Sequence, residues 1–356
     1  MSGNSRSGNV SMKILVDIGT PSQVHFFKNV IWNLEEKGHE IKITARDREI
    51  TLYLLNAYGF KYEKIGKTLP QIYRKILNLP KIDYNLYKIA KSFKPDMLVS
   101  FGSPYAAHAS KFIRKPHVAF TDTETSYRLF APFTEVICTP TCFKAKVDPK
   151  KHVKFNGYKE LAYLHPNYFK PDSSVLDELG LSKDDNFIIL RFAKLNASHD
   201  IGVKGFEFRS NSEIIKFLEK IERYGRVFLT SEYDLGRDFE KYKIKLPPER
   251  MHDLLDYATL YVGDGATMAS EAGILGVPSI FIYGYKFGSH ADLQKYGLMH
   301  PFSDHKSAID MVFNLLQQPS LKKECKRKRE RMLKHKIDVT KFMTDFIENY
   351  LTGRYT

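Results

Sequence analysis

A chain of 356 residues is long enough for about two domains with cores of their own, which excludes miniproteins stapled by disulfides or zinc. Its 43% hydrophobic, 13% aromatic and 27% charged residues exclude an intrinsically disordered chain. Fifty-five Lys and Arg against 41 Asp and Glu leave a formal charge of +14, which favours anionic partners: phosphate esters, nucleic acid or an acidic membrane face.

Residues 1–12 are polar and lack the hydrophobic core of a signal peptide, so a disordered leader is expected. From Lys13 the pattern becomes regular. The apolar run Ile14 to Val16 reads as a strand, Gln23 to Lys37 as a helix closed by Gly38, and Ile41 to Thr44 as a second strand. A helix near Ile50 to Tyr58 and a strand at Tyr62 to Ile65 follow, then helices across Tyr73 to Phe93. Strands at Met97 to Phe101, Val118 to Thr121 and Val136 to Cys138 complete this half. Short apolar runs separated by helices predict a parallel sheet covered on both faces. Pro166 and Pro171 punctuate a polar and aromatic stretch that reads as a linker.

A second alternating series then begins, with strands at Phe187 to Phe192, Val227 to Thr230, Leu260 to Val262 and Ser279 to Tyr283. Helices are expected at Glu213 to Tyr224, Met251 to Tyr257, Thr267 to Leu275, Ala308 to Gln317, Leu321 to Lys336 and Thr340 to Tyr350. The predicted class is α/β, with two tandem doubly wound Rossmann-like domains facing a central cleft. The expected divisions are a domain over 13–165, a second over 166–338, and a C-terminal helix over 339–356 packing back on the first.

Cys138, Cys142 and Cys325 form no CxxC pair and have no His at ligand spacing, so no metal site is expected. No stretch approaches the ~18 apolar residues of a membrane span, and a cytoplasmic chain is expected. Half of the excess charge lies between Lys322 and Lys336, with nine Lys or Arg against two Glu. That run has no aromatic residue for base stacking, which argues against nucleic acid; peripheral contact with an anionic membrane is the functional alternative to a solvated helix.

In open α/β sheets ligands bind at the carboxyl ends of strands, so the chemistry is sought in strand-to-helix loops. The richest is Gly263-Asp264-Gly265-Ala266-Thr267, between a strand and a helix carrying Glu271. Its small residues leave backbone N–H groups bare at a helix start, where the dipole favours phosphate, and Glu271 one turn on suits ribose hydroxyls. The bland alternative is a tight turn followed by a solvated acid. In the first loop, Gly19 and Thr20 precede a helix carrying His25, either a base or a half-buried histidine. Asp122 and Glu124 stand after a later strand, suited to acid/base work or, for Asp122, to capping a helix. Arg191, Lys194 and His199 follow the first strand of the second half, and Ser289 and His290 lie in a loop further on.

The turn and helix ending Leu275-Gly276-Val277-Pro278 resemble the donor loop of GT-B glycosyltransferases and of non-hydrolysing UDP-N-acetylglucosamine 2-epimerases. The phrases DIGTPSQVHFF, TDTE, NGYKELAYL and GDGATMASEAGILGVPSI look most like a prokaryotic family within that superfamily, domain of unknown function 354. The resemblance implies a GT-B-like fold and a nucleotide-sugar donor, UDP-linked in the first instance. It implies that Gly265, Ala266 and Thr267 hold the diphosphate, helped by Arg191 and Lys194, and that Glu271 holds the ribose. Gly-Ala-Thr here replaces the Ser-Gly-Gly usual in the epimerases, and His199 falls later than the epimerase histidine. Gly19 and Thr20 would form the acceptor-side loop, with His25, Asp122 and Glu124 as the catalytic candidates. Ser289 and His290 would contact the donor sugar. The implied activity is metal-independent, cofactor-free glycosyl transfer to a sugar, lipid-linked or other hydroxyl acceptor in glycan or glycolipid biosynthesis. A 2-epimerase and a noncatalytic nucleotide-sugar-binding scaffold are the alternatives.

Overall fold

A computed structural model describes residues 11–67, 72–193, 205–282 and 287–351. The leader 1–10, Lys194, His199 and the loop 283–286 lie outside the described residues. The chain divides into two compact units.

The first unit takes the chain to Thr141, then Ala145–Tyr163 and the segment from Asp338. It holds strands β1 (Lys13–Ile18), β2 (Glu40–Asp47), β3 (Tyr62–Lys67), β4 (Met97–Phe101), β5 (His117–Phe120), β6 (Val136–Pro140) and β7 (His152–Phe155). Its helices are α1 (Pro21–Glu36), α2 (Thr51–Ala57), α3 (Ile72–Phe93) and α4 (Pro104–Ile113), with a last turn, α5 (Leu161–Leu164), at the unit boundary. The strands form one parallel sheet ordered β3-β2-β1-β4-β5-β6-β7. Strand order reverses between β1 and β4, which is where a doubly wound sheet opens a crevice at its carboxyl edge. A single helix, α3, runs through Pro80. It packs with α4 over Leu15, Ile65 and Leu98, whose side chains have no contact with solvent.

The second unit comprises Cys142–Lys144 and Leu164–Ile337. It contains α6 (Ser174–Glu178), β8 (Phe187–Phe192), α7 (Asn211–Ile221), β9 (Arg226–Ser231), α8 (Met251–Tyr257) and β10 (Leu260–Gly263). Then come α9 (Ala266–Leu275), β11 (Ser279–Ile282), α10 (Gly288–Lys295), β12 (Met299–Phe302), α11 (His305–Leu316) and α12 (Leu321–His335). The parallel order is β12-β11-β10-β8-β9, so the reversal lies between β8 and β10. A core including Ile188, Leu190, Val262, Ile280 and Val312 fills one face of this sheet.

Two strands carry no clear sequence signal. β7 reads His-Val-Lys-Phe with three of its four residues partly exposed, and β12 contains Pro301; both are edge strands, where polar residues and proline are tolerated. The last helix, α13 (Val339–Leu351), packs on α1 within the first unit. Thr340 Oγ1 donates to the carbonyl of Ala162 at 2.6 Å, and Glu348 pairs with Lys37 and His39.

Candidate functional site

The reversal between β8 and β10 brings Arg191, near the end of β8, beside the turn Gly263–Gly265. A Cβ on Gly263 would lie 2.4 Å from Tyr261 Oη, and one on Gly265 would lie 2.9 Å from Arg191 Nε. The two glycines therefore do more than make a tight turn: they let an arginine and a tyrosine close against the backbone. The Arg191 guanidinium is oriented by Thr230 Oγ1 at 3.4 Å and by the carboxylate of Glu232.

Helix α9 starts at Ala266, and its first residues, Ala266, Thr267 and Met268, are half-buried while Ala269 to Leu275 are buried. A first turn has N–H groups without intrahelical acceptors, so the accessible end of this helix is the end that attracts an anion. The opposite end is closed by Gly276 in the left-handed conformation and by two cations from α12. Lys326 Nζ donates to the Leu275 carbonyl and Arg329 Nε to the Ile274 carbonyl, each at 2.9 Å. Part of the basic run thus serves the carbonyl end of the helix whose amide end is open, which is where positive charge stabilises a helix dipole.

Glu271 is only 5% exposed, so it is not a solvated acid; His252 Nε2 of α8 lies 3.0 Å from its carboxylate. His252 escaped the sequence reading because nothing in Met-His-Asp-Leu-Leu-Asp-Tyr marks it off from an ordinary amphipathic helix. Asp264 is also buried, and burial pushes its carboxyl up to about 6, against the opposing pull of the backbone N–H groups of Ala193 and Phe206 and the charge of Arg191. Ala193 N–H donates to it at 2.6 Å, and a Cβ on Gly205 would lie 2.6 Å from Oδ2. Tyr261 Oη is buried with no hydrogen-bond partner among the described residues, and burial holds its phenol above the usual range. On α10, Ser289 is half-buried, whereas His290 is packed edge-on against Phe281 and Phe287.

In the first unit, Gly19 leads from β1 to α1, and its N–H donates to Gln23 Oε1 at 2.6 Å. Thr20 is the extended residue before α1, in side-chain contact with Ser22. His25 is buried, with Nδ1 3.2 Å from Tyr58 Oη and its ring 5.4 Å from that of Tyr163. Asp122 caps no helix: Lys159 Nζ lies 2.7 Å from its carboxylate and 3.2 Å from that of Glu160. Burial alone would lower the Lys159 ammonium, but the two carboxylates outweigh it and hold it above the usual range. Glu124 stands half-buried two residues beyond Asp122. Lys159 and Glu160 lie within the phrase NGYKELAYL, yet an isolated Lys-Glu pair gives no sign of being buried.

A second group that sequence reasoning missed sits at the carboxyl edge of β1 and β2. Asp17 is fully buried, accepts from Thr44 Oγ1 at 2.9 Å and lies 3.6 Å from Arg46 Nη2. The Arg46 guanidinium lies 4.9 Å from the centre of the Tyr105 ring. His108, one turn along α4, bonds Asp83 at 3.1 Å. The available signal was an acid in the otherwise apolar run Ile-Leu-Val-Asp-Ile of β1. His117, by contrast, is a packing residue held neutral: burial pushes it down to about 3, and Ser100 and Thr134 occupy its nitrogens. Among the described residues no three His, Cys, Asp or Glu side chains gather as metal ligands, and Cys138, Cys142 and Cys325 form no disulfide.

Residues 12–352 match the model of the family described as Protein of unknown function (DUF354). An uncharacterized protein of Methanocaldococcus jannaschii is 22% identical over 320 residues, 86% of this chain and 92% of the relative. The UDP-GlcNAc 2-epimerase of Neisseria meningitidis, solved with UDP-GlcNAc, superposes with a TM-score of 0.64 at 14% identity over 94% of this chain and 99% of that one. The spinosyn forosaminyltransferase SpnP superposes at 0.63 and 13% identity over 96% and 100%. At these identities the likeness is one of fold, and the fold is GT-B-like.

Proposed function

The chain belongs to the DUF354 family, and from that footing we propose that it is a nucleotide-sugar enzyme of GT-B type, transferring sugar from a UDP-linked donor to a hydroxyl acceptor. The observation that carries the reading is the open first turn of α9 at the β8/β10 reversal, with Arg191 beside it and Glu271 held on the same helix by His252. The amides of Ala266 and Thr267, with Arg191, would take the diphosphate, and Glu271 the ribose. Stabilising the departing diphosphate is then electrostatic work by preorganised donors, and the scheme calls on neither metal nor cofactor. Asp122, held by Lys159, is the better candidate base for the acceptor hydroxyl, since His25 is enclosed by Tyr58 and Tyr163. The full-length likeness to a 2-epimerase supports a second reading, elimination and readdition of UDP with no acceptor.

A thermal-shift panel of UDP, GDP, CDP and dTDP sugars tests the donor site. A ligand at about 100 times its dissociation constant adds roughly 2.7 kcal/mol to stability. We expect UDP sugars to shift the melt. Glu271→Gln, which keeps the shape beside His252, should weaken binding by a factor of about 10 to 150, the equivalent of 1.5–3 kcal/mol for a hydrogen bond to a charged group. No shift with any nucleotide sugar, or an undiminished shift in the variant, overturns the assignment. Interconversion of UDP-GlcNAc without acceptor would replace transfer by epimerisation.

A further inference from the structure

Four large apolar side chains of the first unit stand out in solvent on neighbouring elements. Phe112 on α4 is 72% exposed, Tyr84 on α3 63%, and Leu129 and Phe133, in the 3-10 turns Tyr127–Leu129 and Ala131–Phe133, 64% and 38%. They belong to one surface. Tyr87, next to Tyr84 on α3, meets the edge of Phe112 at 6.0 Å, and His108, one turn before Phe112, meets Phe133 at 4.8 Å. Scattered exposed apolar residues need no explanation, but a joined group marks an interaction surface.

The rim of this surface is cationic. Lys88, Lys91, Lys111, Arg114 and Arg128 are all exposed on these elements or at their ends, and Asp83 on α3 is already bonded to His108. A second copy of the chain would bring like charges together here. A nucleic acid needs flat ring faces on which to stack, whereas these rings meet edge-on, with interplanar angles of 72° and 86°, and Leu129 offers no ring at all. An apolar centre ringed by Lys and Arg complements an anionic bilayer, where rings settle at headgroup depth and cations reach the phosphates.

We propose that α3, α4 and the turns through Phe133 form the face by which this protein docks on an anionic lipid surface. The basic run of α12 is the weaker candidate. Lys326, Arg329 and Lys336 are bonded inward, to the Leu275 and Ile274 carbonyls and to Asp292, and beside its outward cations Lys323, Arg327 and Lys334 stands a single exposed large apolar side chain among the described residues, Ile337 just past the helix, rather than a group of four.

The test is cosedimentation of the full chain with phosphatidylcholine vesicles, with and without phosphatidylglycerol, at low and high salt. The protein should bind the phosphatidylglycerol vesicles more tightly than the phosphatidylcholine ones, and high salt should narrow that difference while leaving part of the binding, because apolar burial is not screened. Phe112→Asp with Leu129→Asp should lower the partition coefficient about tenfold or more while leaving the melting temperature unchanged. Lys111→Glu with Arg114→Glu should lower it at low salt. Absence of binding to anionic vesicles overturns the proposal, as does binding lost through Lys323→Glu, Arg327→Glu and Lys334→Glu but retained in the Phe112 and Leu129 variant. A wild-type dimer that the same variant splits would assign the face to a second copy. Selective loss of single-stranded oligonucleotide binding in that variant would assign it to nucleic acid. The inference stands apart from the donor reading, since nucleotide shifts measured on the same variants report on α9 alone.

Discussion

At the candidate donor site the Asp264 carboxyl is buried against Gly205 and accepts from the Ala193 N–H. An ordinary aspartate titrates near 3.8, and in the folded chain this one is pushed to about 6, a difference of roughly two units. At 1.36 kcal/mol per unit this is about 3 kcal/mol. Because the folded value is the raised one, the associated stability is fully present below 3.8 and is lost as pH rises through about 6. Asp264→Asn cannot titrate. Urea unfolding between pH 4 and 7 should therefore show the wild type losing about 3 kcal/mol relative to this variant, most of it between pH 4 and 6. Parallel pH profiles for the two proteins would mean that Asp264 is solvated in the folded state. The turn Gly263-Asp264-Gly265 and the helix acid Glu271 announce themselves in the sequence by type and spacing, whereas their partners His252 and Gly205 come from elsewhere in the chain and meet them only through the fold.

At the scale of elements, helices α1, α9 and α12 come through the sequence with their ends nearly right, α1 and α12 by periodicity and α9 by its apolar run between a small-residue turn and Gly276-Val277-Pro278, and the weak edge strands β7 and β12 do not. What no periodicity could disclose is that α9 and α12 act together. The α9 segment is apolar almost all round, as a buried helix must be, and α12 is so basic that it reads as a solvated one. The structure resolves this by burying Leu321, Cys325 and Met332 and directing Lys326 and Arg329 to the last carbonyls of α9. Replacing either cation by Met leaves a carbonyl without its charged partner, at a cost of about 1–3 kcal/mol. Lys326→Met also frees Asp256, bonded at 2.9 Å, so it should be the more damaging of the two. Chemical denaturation of both variants checks the order. Equal and negligible losses would return the run to the role of a solvated face.

For the whole molecule, the alternation of short apolar runs with helices was enough to read two doubly wound units, because strands covered on both faces carry their burial in composition. The C-terminal helix α13 belongs to the first unit and packs on α1. Along α13, Val339, Met343, Phe346 and Ile347 are buried, Phe342 lies 5.3 Å from Phe155, and the helix closes the unit that the N-terminal residues began. Burying one such side chain is worth about 1.5–3 kcal/mol, so four give roughly 6–12 kcal/mol, comparable with the ~5–15 kcal/mol that holds a whole domain folded. Removing the chain from Asp338 onward should therefore unfold the first unit, while the second, whose core includes Ile188, Val262, Ile280 and Val312, keeps its own contacts. Calorimetry of the truncated chain should show loss of one transition and survival of another, with limited proteolysis confined to residues before Leu164. If the donor site is built within the second unit alone, the surviving transition should still rise in temperature with UDP. Loss of both transitions would mean that the second unit depends on the first for its stability, and the nucleotide measurements would then have to be made on the full chain.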